Sequence, residues 1–453
     1  MAPLFRRTDN DNPLRETSMM SADAEISCDL LVIGTGMAGM AATLFAARRG
    51  IDIVQVGMTG EMNFASGLLD LLGVHPVATG RVLSTPWDGL RQLMKDQPRH
   101  PYTRIGIDAI RTSMNELVGF LNEAGLPYQC HRDHNTRVLT PVGTLKTTYA
   151  LPASMAAADP AIANRRPCLL VDFSGLKGFS ARQIKAGLED RWPGLQMVSL
   201  PFPGQQGELQ TERMARHLET AAAREQLARS IRPHLGEARV VGLPAVLGIA
   251  RTGQVFSDLQ QAVGVPLFEI PTMLPAITGL RLRECFERQL PRMGVRTRYQ
   301  QKVLSSPRRS GQDFIAAVGG ERPAVQVRAR AVILASGRFF GQGLHADRYA
   351  IRETIFDLPV HQPTDRTQWH HKNLFHDAGH PIHQAGLAVD DLFRPCDVQG
   401  RCLYPIVFAA GSFLAHGEWI RQKCGSGLAI ASAFAAVQAC LAVLTHEPPA
   451  AIA

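Results

Sequence analysis

The segment CDLLVIGTGMAGMAATLFAARRGIDIVQV, residues 28–56, constrains the fold of this chain more than any other. Leu30 to Ile33 is an apolar run suited to a strand covered on both faces, and Met37 to Arg49 supplies a helix of small residues. Gly50 stands where a helix end favours a left-handed residue, and Ile51 to Val56 reads as a returning strand. A strand, helix and strand in about 30 residues is the length of a right-handed parallel crossover. The turn between the first strand and the helix is Gly34-Thr35-Gly36-Met37-Ala38-Gly39, a GxGxxG spacing in its required context. Gly34 permits the tight turn, Gly36 lets the backbone approach a pyrophosphate, and Gly39 lets helix and strand pack closely. The helix start then offers free N–H groups and a partial positive charge to a phosphate. A glycine turn that serves packing alone would show the same spacing.

One part of the dinucleotide fingerprint is missing. An acidic residue should follow the glycines by about 20 residues and take the ribose hydroxyls, but the sequence there reads Gln55-Val56-Gly57-Met58. Asp52 lies before that point and Glu61 after it. Either a dinucleotide is held some other way, or the ligand is a mononucleotide such as FMN, with one phosphate on the glycine turn.

The chain has 453 residues, enough for two or three structural units. Its 48 basic and 40 acidic residues leave a net charge of +8, scattered rather than grouped in Lys/Arg runs, which argues against a nucleic-acid-binding stripe. Anionic small molecules or an acidic partner suffice to account for the surplus. Eight cysteines, none in a CxxC pair, fit reduced and mostly buried thiols of a cytoplasmic protein. The N-terminal residues lack the apolar core of a signal peptide. Residues 425–445 carry no charge and could cross a bilayer by length, yet their Ala, Ser and Gly content with Gln438 suits a buried helix better.

The expected architecture is α/β: a Rossmann-like domain, discontinuous in sequence, with an inserted α+β second domain. Residues 1–25 form a polar arm, with Met1, Met19 and Met20 as alternative starts. Residues 26–75 and 275–450 form the split domain, and residues 76–274 an inserted substrate or partner domain. Helices are expected over Ile107 to Ala124 and Glu208 to Ile231, and a Gly-Gly hairpin within DFIAAVGGERPAVQVRA. Strand, turn and helix recur in AVILASG and in YPIVFAAGSF with CGSGLAIASAFAAVQACLAVL.

Taken together, VIGTGMAGMAA, ASGLLDLL, GLRLRECFERQLPRMGV, AVILASGRFFGQG, GLAVDDLFRP, VFAAGSFLA and CGSGLAIASA resemble the B-subunit family of anaerobic glycerol-3-phosphate dehydrogenase, a relative of the fumarate-reductase-like flavin folds. The resemblance covers both ends of the chain and is weakest in the middle. It implies a flavoprotein with FMN, FAD being the alternative, which oxidises glycerol 3-phosphate to dihydroxyacetone phosphate. It also implies an FAD-containing catalytic A-subunit and an iron–sulfur C-subunit that anchors the complex at the inner membrane and passes electrons to quinone. A self-sufficient FAD-dependent oxidoreductase of the fumarate reductase/succinate dehydrogenase type, and a non-catalytic structural subunit, are the competing readings.

Carried over by position, Gly34, Gly36 and Gly39 would hold the flavin phosphate, and Ser66 with Gly67 would approach the cofactor. Ser66 could equally be a helix N-cap. Ser336 and Gly337 match a small-residue turn near the nucleotide, and Gly411 a turn beside the flavin. Gly425, Ser426 and Gly427 would open the last helix with its positive end toward the flavin. Cys424 beside that turn reads as a buried small residue rather than a redox thiol. His370, His371, His376, His380 and His383 crowd 14 residues but match no zinc spacing, and no metal site is expected. They suit a loop over the flavin with one histidine contacting substrate or the A-subunit. Arg281, Arg283 and Arg338 are candidates for the substrate phosphate. No catalytic base is assigned.

Overall fold

A computed structural model describes residues 25–205, 207–304 and 306–445. The arm expected over 1–25 lies outside these residues except for Glu25, and so do the alternative starts and the last residues of the chain.

The parallel crossover forms where its pattern puts it: β1 at Glu25–Ile33, α1 at Met37–Ala47 and β2 at Ile53–Gly57. Leu30 to Ile33 pair in parallel with β2 on one side and with the strand Pro323–Leu334 on the other. Leu30 to Ile33 are also buried on both faces of the sheet, which is why they form a continuous apolar run. Gly50 takes φ +73° just beyond α1. α1 is buried from Ala38 to Ala46, because the last helix, Gly425–Thr445, packs along it with equally small residues. That helix is long and apolar enough to cross a membrane, but 67% of its apolar stretch is buried inside the protein. It serves here as a core helix.

Among the described residues the main sheet has eight strands. Arg296–Tyr299, β2, β1, Pro323–Leu334 and Val407–Ala409 run parallel to their neighbours, and Asp313–Gly319 pairs antiparallel with Pro323–Leu334 across the expected Gly-Gly hairpin. β1 thus lies beside a strand from the far part of the chain, with Glu25 opposite Gln326.

The middle of the chain builds a second sheet from Cys168–Phe173, Leu195–Leu200, Val240–Pro244 and Leu267–Ile270, parallel throughout. The antiparallel pairing of this region is confined to short ribbons such as Thr136–Leu139 with Leu145–Thr148. The helix expected over Ile107 to Ala124 is present as Ile107–Glu123, whereas Glu208 to Ile231 divides into Thr211–His217 and Ala221–Ile231. Packing does not divide at residue 76. Trp87, Leu90, Ile110, Leu117 and Tyr128 belong to the core of the main sheet, and the second core runs from Leu139 to Leu280. The helix Ile277–Gln289 joins the two, with Ile277 and Leu280 in one core and Leu282 and Phe286 in the other.

Candidate functional site

Four parallel strands end along one edge of the main sheet, and the turns that follow them are tied by backbone hydrogen bonds. Gly34 N donates to Val56 O at 2.8 Å, Ala335 N to Ile33 O at 2.8 Å, and Ala410 N to Leu334 O at 3.0 Å. Thr35 Oγ1 closes the set by donating to Met58 O at 2.7 Å. The carboxyl edge of a parallel sheet is where helix starts and free amides face outward, so ligands bind there.

Gly34 has φ +132°, and a Cβ at this position would lie 2.0 Å from Ala335 O. Only glycine allows the first and third turns to touch. The α1 start at Gly36 has no side-chain cap, leaving its first-turn amides to whatever lies in front of them. A cavity of about 560 Å³ opens there, lined by Gly34, Gly36, Gly57, Gln301 and Ser336 among others. A second, of about 490 Å³, lies on the far side of Gly36. Both are lined by Gly36, Ala335 and Phe340, so the two cavities adjoin at the glycine turn.

Two polar atoms in the first cavity are buried without a partner: Ser336 Oγ and Gln301 Oε1. Buried polar atoms are normally hydrogen-bonded, so the pair marks a place where a ligand completes the bonding. Gly57 ends β2 where the fingerprint expects an acid, and a Cβ there would meet Thr35 at 2.9–3.0 Å. The turn is closed too tightly for a side chain, and Gln301, from a strand end far along the sequence, lines the same cavity with an unpartnered acceptor.

Seven of the expected residues line the second cavity: Gly36, Ser66, Gly67, Gly337, Gly411, Gly425 and Ser426. Their roles differ from a uniform set of flavin contacts. No helix follows Ser66; its Oγ accepts from Leu68 N at 3.4 Å, and Leu69 then pairs with Ala150. Gly67 is left-handed at φ +76°, with Thr278 2.6 Å from where its Cβ would be. Gly411 N is taken by Ser432 Oγ at 2.9 Å. Ser426 Oγ accepts from Asp70 N at 2.6 Å, pinning the 68–70 segment to the start of the last helix. Gly39 and Gly427 line neither cavity. A Cβ on Gly39 would lie 2.1 Å from Gly34 O, and one on Gly427 2.6 Å from the Tyr102 hydroxyl, so both glycines serve close packing.

Other residues of this cavity carry no local sequence signal. Lys146, from the middle of the chain, binds Asp70 at 2.5 Å, and both face the cavity with Lys423 and Trp419. Lys423 is held at φ +54°, and its ammonium has no hydrogen-bond or ion-pair partner among the described residues. Cys424 is fully buried, and burial pushes its thiol well above the ordinary range, which keeps it protonated and inert.

None of the histidines of the 370–383 loop lines either cavity; the loop is tied through Arg338 to Ser412, which lines the second. His380 uses both ring nitrogens, accepting from His371 N at Nδ1 and bonding Leu374 O through Nε2, while His371 and His376 stack at 3.8 Å. Among the described residues no group of His, Cys, Asp and Glu is arranged to hold a metal ion. His383 is different. Its Nδ1 lies 2.6 Å from Oε1 of Glu418, a carboxylate only 3% exposed, and its Nε2 is left without a hydrogen bond among the described residues. Glu418 Oε2 accepts from Arg421 N at 2.6 Å, fixing the carboxylate. His416, by contrast, is drawn down to about 4 by burial, with His361, Arg99 and Arg104 adding repulsion.

The arginine candidates for a phosphate are committed elsewhere. Arg281 is 2% exposed and meets Glu269 with two bonds of 2.7 and 2.8 Å, its Nε donating to Gly248 O. Arg283 donates to Asn63 Oδ1 at 2.9 Å and faces Glu287. Arg338 donates to the carbonyls of Ile382, Ala385 and Ser412, and burial pushes it down to about 10. It therefore fastens the His383 turn to Ser412, which lines the second cavity. The expectation of phosphate binding is corrected on this ground for Arg281 and Arg338, whose guanidiniums spend their donors on the protein; Arg283 keeps its Nε without a hydrogen bond among the described residues but lines neither cavity.

The chain belongs to the FAD binding domain family, whose model matches residues 29–428. The fold and site thus define a flavin-binding protein. Within that class it is 30% identical over 439 residues to the B-subunit of anaerobic glycerol-3-phosphate dehydrogenase from Vibrio cholerae serotype O1, covering 93% of this chain and 98% of that protein. The same subunit of Vibrio vulnificus is 28% identical over 426 residues, covering 91% and 96% of the two chains. Among solved structures, 3-ketosteroid delta1-dehydrogenase from Sterolibacterium denitrificans aligns at TM-score 0.42 and 12% identity, over 92% of this chain and 100% of that one. The matched family is named for FAD, which supports a flavin cofactor and does not support FMN as the first choice.

Proposed function

We propose that this chain is the flavoprotein subunit of an anaerobic glycerol-3-phosphate dehydrogenase, that its flavin is FAD, and that it acts on glycerol 3-phosphate within a complex of several subunits. The observation that carries the cofactor reading is the pair of cavities that share Gly36, Ala335 and Phe340 at the glycine turn, with Ser336 Oγ and Gln301 Oε1 unpartnered in the first. A mononucleotide would occupy one cavity; a dinucleotide occupies both. In this reading Gly34, Gly36 and the uncapped α1 amides take the pyrophosphate, and Gln301 takes the ribose. Ser66, Gly67, Gly337, Gly411, Gly425 and Ser426 wall the flavin end, where the start of the last helix lends positive potential that favours a reduced, electron-rich ring.

When bound, the flavin supplies a two-electron acceptor for the hydride of an alcohol carbon. The protein must then take the hydroxyl proton and hold the phosphate. Glu418 orients His383 through Nδ1 and leaves Nε2 to accept the proton. Lys423, facing the cavity with its ammonium unpartnered among the described residues, suits the phosphate. The chain contains no CxxC pair for an iron–sulfur centre, so electrons leave through a partner. In this reading an FAD-containing A-subunit and an iron–sulfur C-subunit complete the complex, and the latter holds it at the membrane and delivers electrons to quinone.

Acid extraction of the bound cofactor with chromatography against FMN and FAD tests the first part; FAD is expected, and FMN or a colourless protein overturns it. Glycerol 3-phosphate oxidation by the assembled complex tests the second. His383→Asn should lower kcat about 10²-fold or more, and Lys423→Met should act mainly on KM. An unchanged rate in both variants would move the substrate site to a partner protein of the complex.

A further inference from the structure

Cys396 and Cys402 are the two directly opposed residues of a short hairpin that closes on the loop 397–401. Asp397 N donates to Arg401 O at 3.0 Å and Leu403 N to Pro395 O at 3.0 Å, so the two cysteines form the non-hydrogen-bonded pair between those bonds. Opposed residues of that kind have Cα atoms about 4.5 Å apart and side chains on the same face, within the range of about 4.4–6.8 Å that a disulfide spans. Both thiols are free in this structure. Cys396 is 5% exposed but lines a cavity of about 540 Å³ that opens to solvent beside His361 and His416, and Cys402 is half-buried, so a small oxidant has a path to the pair.

We propose that Cys396 and Cys402 are a modification site at which a small hydroperoxide forms a cross-strand disulfide. The Cys402 thiolate attacks one peroxide oxygen and breaks the O–O bond, leaving a sulfenic acid and a hydroxide that takes up the thiol proton as water. The Cys396 sulfur then attacks the Cys402 sulfur and displaces its hydroxyl, which leaves with the Cys396 proton as a second water. Two thiols are oxidised by two electrons and one hydroperoxide is reduced. Burial raises both thiols, Asp390 adds to this, and Arg394 partly opposes it. The bond would lock the hairpin just ahead of Val407–Ala409, the strand that delivers Gly411 to the second cavity.

The test uses the full-length chain with its flavin, treated under native conditions with equimolar hydrogen peroxide, then alkylated and digested with trypsin. Cleavage after Arg401 places the two cysteines on different fragments. The expected product is a linked pair of fragments that separates on reduction, formed at least about tenfold faster in the folded chain than in the same chain in denaturant, because only the fold holds the two sulfurs face to face. In Cys402→Ser, Cys396 should remain fully alkylatable after the same treatment; Cys396→Ser gives the reciprocal control. Separate alkylation of both residues after the peroxide is consumed, a link that joins two chains, or equal rates in folded and denatured protein would each overturn the proposal.

Discussion

The two parallel sheets of this molecule obey the same topological rule and end differently. At the carboxyl edge of the main sheet the turns are glycine-rich, the α1 start is uncapped, and Ser336 Oγ and Gln301 Oε1 have no protein partner. At the corresponding edge of the second sheet a buried ion pair occupies the space, although Asp172 Oδ1 and Thr272 Oγ1 are also buried there without a partner among the described residues. Glu269, on its edge strand, accepts from Leu247 N and Ser154 Oγ and is clasped by Arg281 from the helix Ile277–Gln289. An internal carboxylate and its arginine satisfy there what a phosphate ligand would satisfy in the first sheet. Parallel topology offers a site; the glycine turn and uncapped helix start keep it open in the first sheet, and the Glu269–Arg281 pair fills it in the second.

Removing the plug of the second sheet should have the largest effect. Arg281→Met leaves the Glu269 carboxylate buried and unpaired and should cost about 3–5 kcal/mol of stability in denaturant unfolding, while a loss near zero would show that the pair does not lock the two cores. Burial alone raises the Glu269 carboxyl, but the Arg281 charge and its hydrogen bonds more than reverse this, so it titrates below the ordinary value. Its contribution is therefore complete above the ordinary carboxylate range and is lost as pH falls through the depressed folded value. Wild-type stability should decline in acid by a component that Arg281→Met lacks.

Closing the open site of the first sheet comes next. Gly34→Ala places a Cβ against Ala335 O in a backbone conformation that side chains rarely adopt; it should cost about 1–3 kcal/mol from strain alone and yield protein that loses its flavin on gel filtration. A yellow, fully loaded variant would contradict the glycine turn as the cofactor seat. Gln301→Ala, which removes one orphan acceptor, should weaken FAD by about tenfold in apoprotein reconstitution, near the value of a single hydrogen bond, and leave FMN binding unchanged. Equal loss for both flavins would place Gln301 away from the ribose. The smallest effect belongs to the exposed pair Lys177 and Glu208 on the second unit: Lys177→Ala should change stability by less than about 1 kcal/mol.

The first βαβ unit was readable because each step is local. Leu30 to Ile33 are apolar since both faces of the strand are buried, and Gly34, Gly36 and Gly39 are spaced by the turn they make. The site was readable only in part. Ser66, Gly411 and Ser426 were found at the second cavity, yet their hydroxyl and amide groups turn out to be spent on Leu68, Ser432 and Asp70, choices that depend on which segment arrives opposite. Gln301, Lys146 and the pairing of His383 with Glu418 had no local signal, since each joins parts of the chain whose spacing says nothing about contact. Arg281 looked like a solvated or ligand-binding cation for the same reason: its partner Glu269 lies on another element.

The residue pattern by itself therefore determined the parallel crossover, the glycine turn with its affinity for phosphate, and the small-residue character of α1 and the last helix, because periodicity and backbone freedom act over a few residues. The tertiary structure alone decided which strand edge stays open and which is plugged, which glycines face a ligand and which face a neighbouring carbonyl, and which histidine meets a buried carboxylate. Those outcomes rest on hydrogen-bond partners far apart in the sequence, and only the packed molecule brings them within reach.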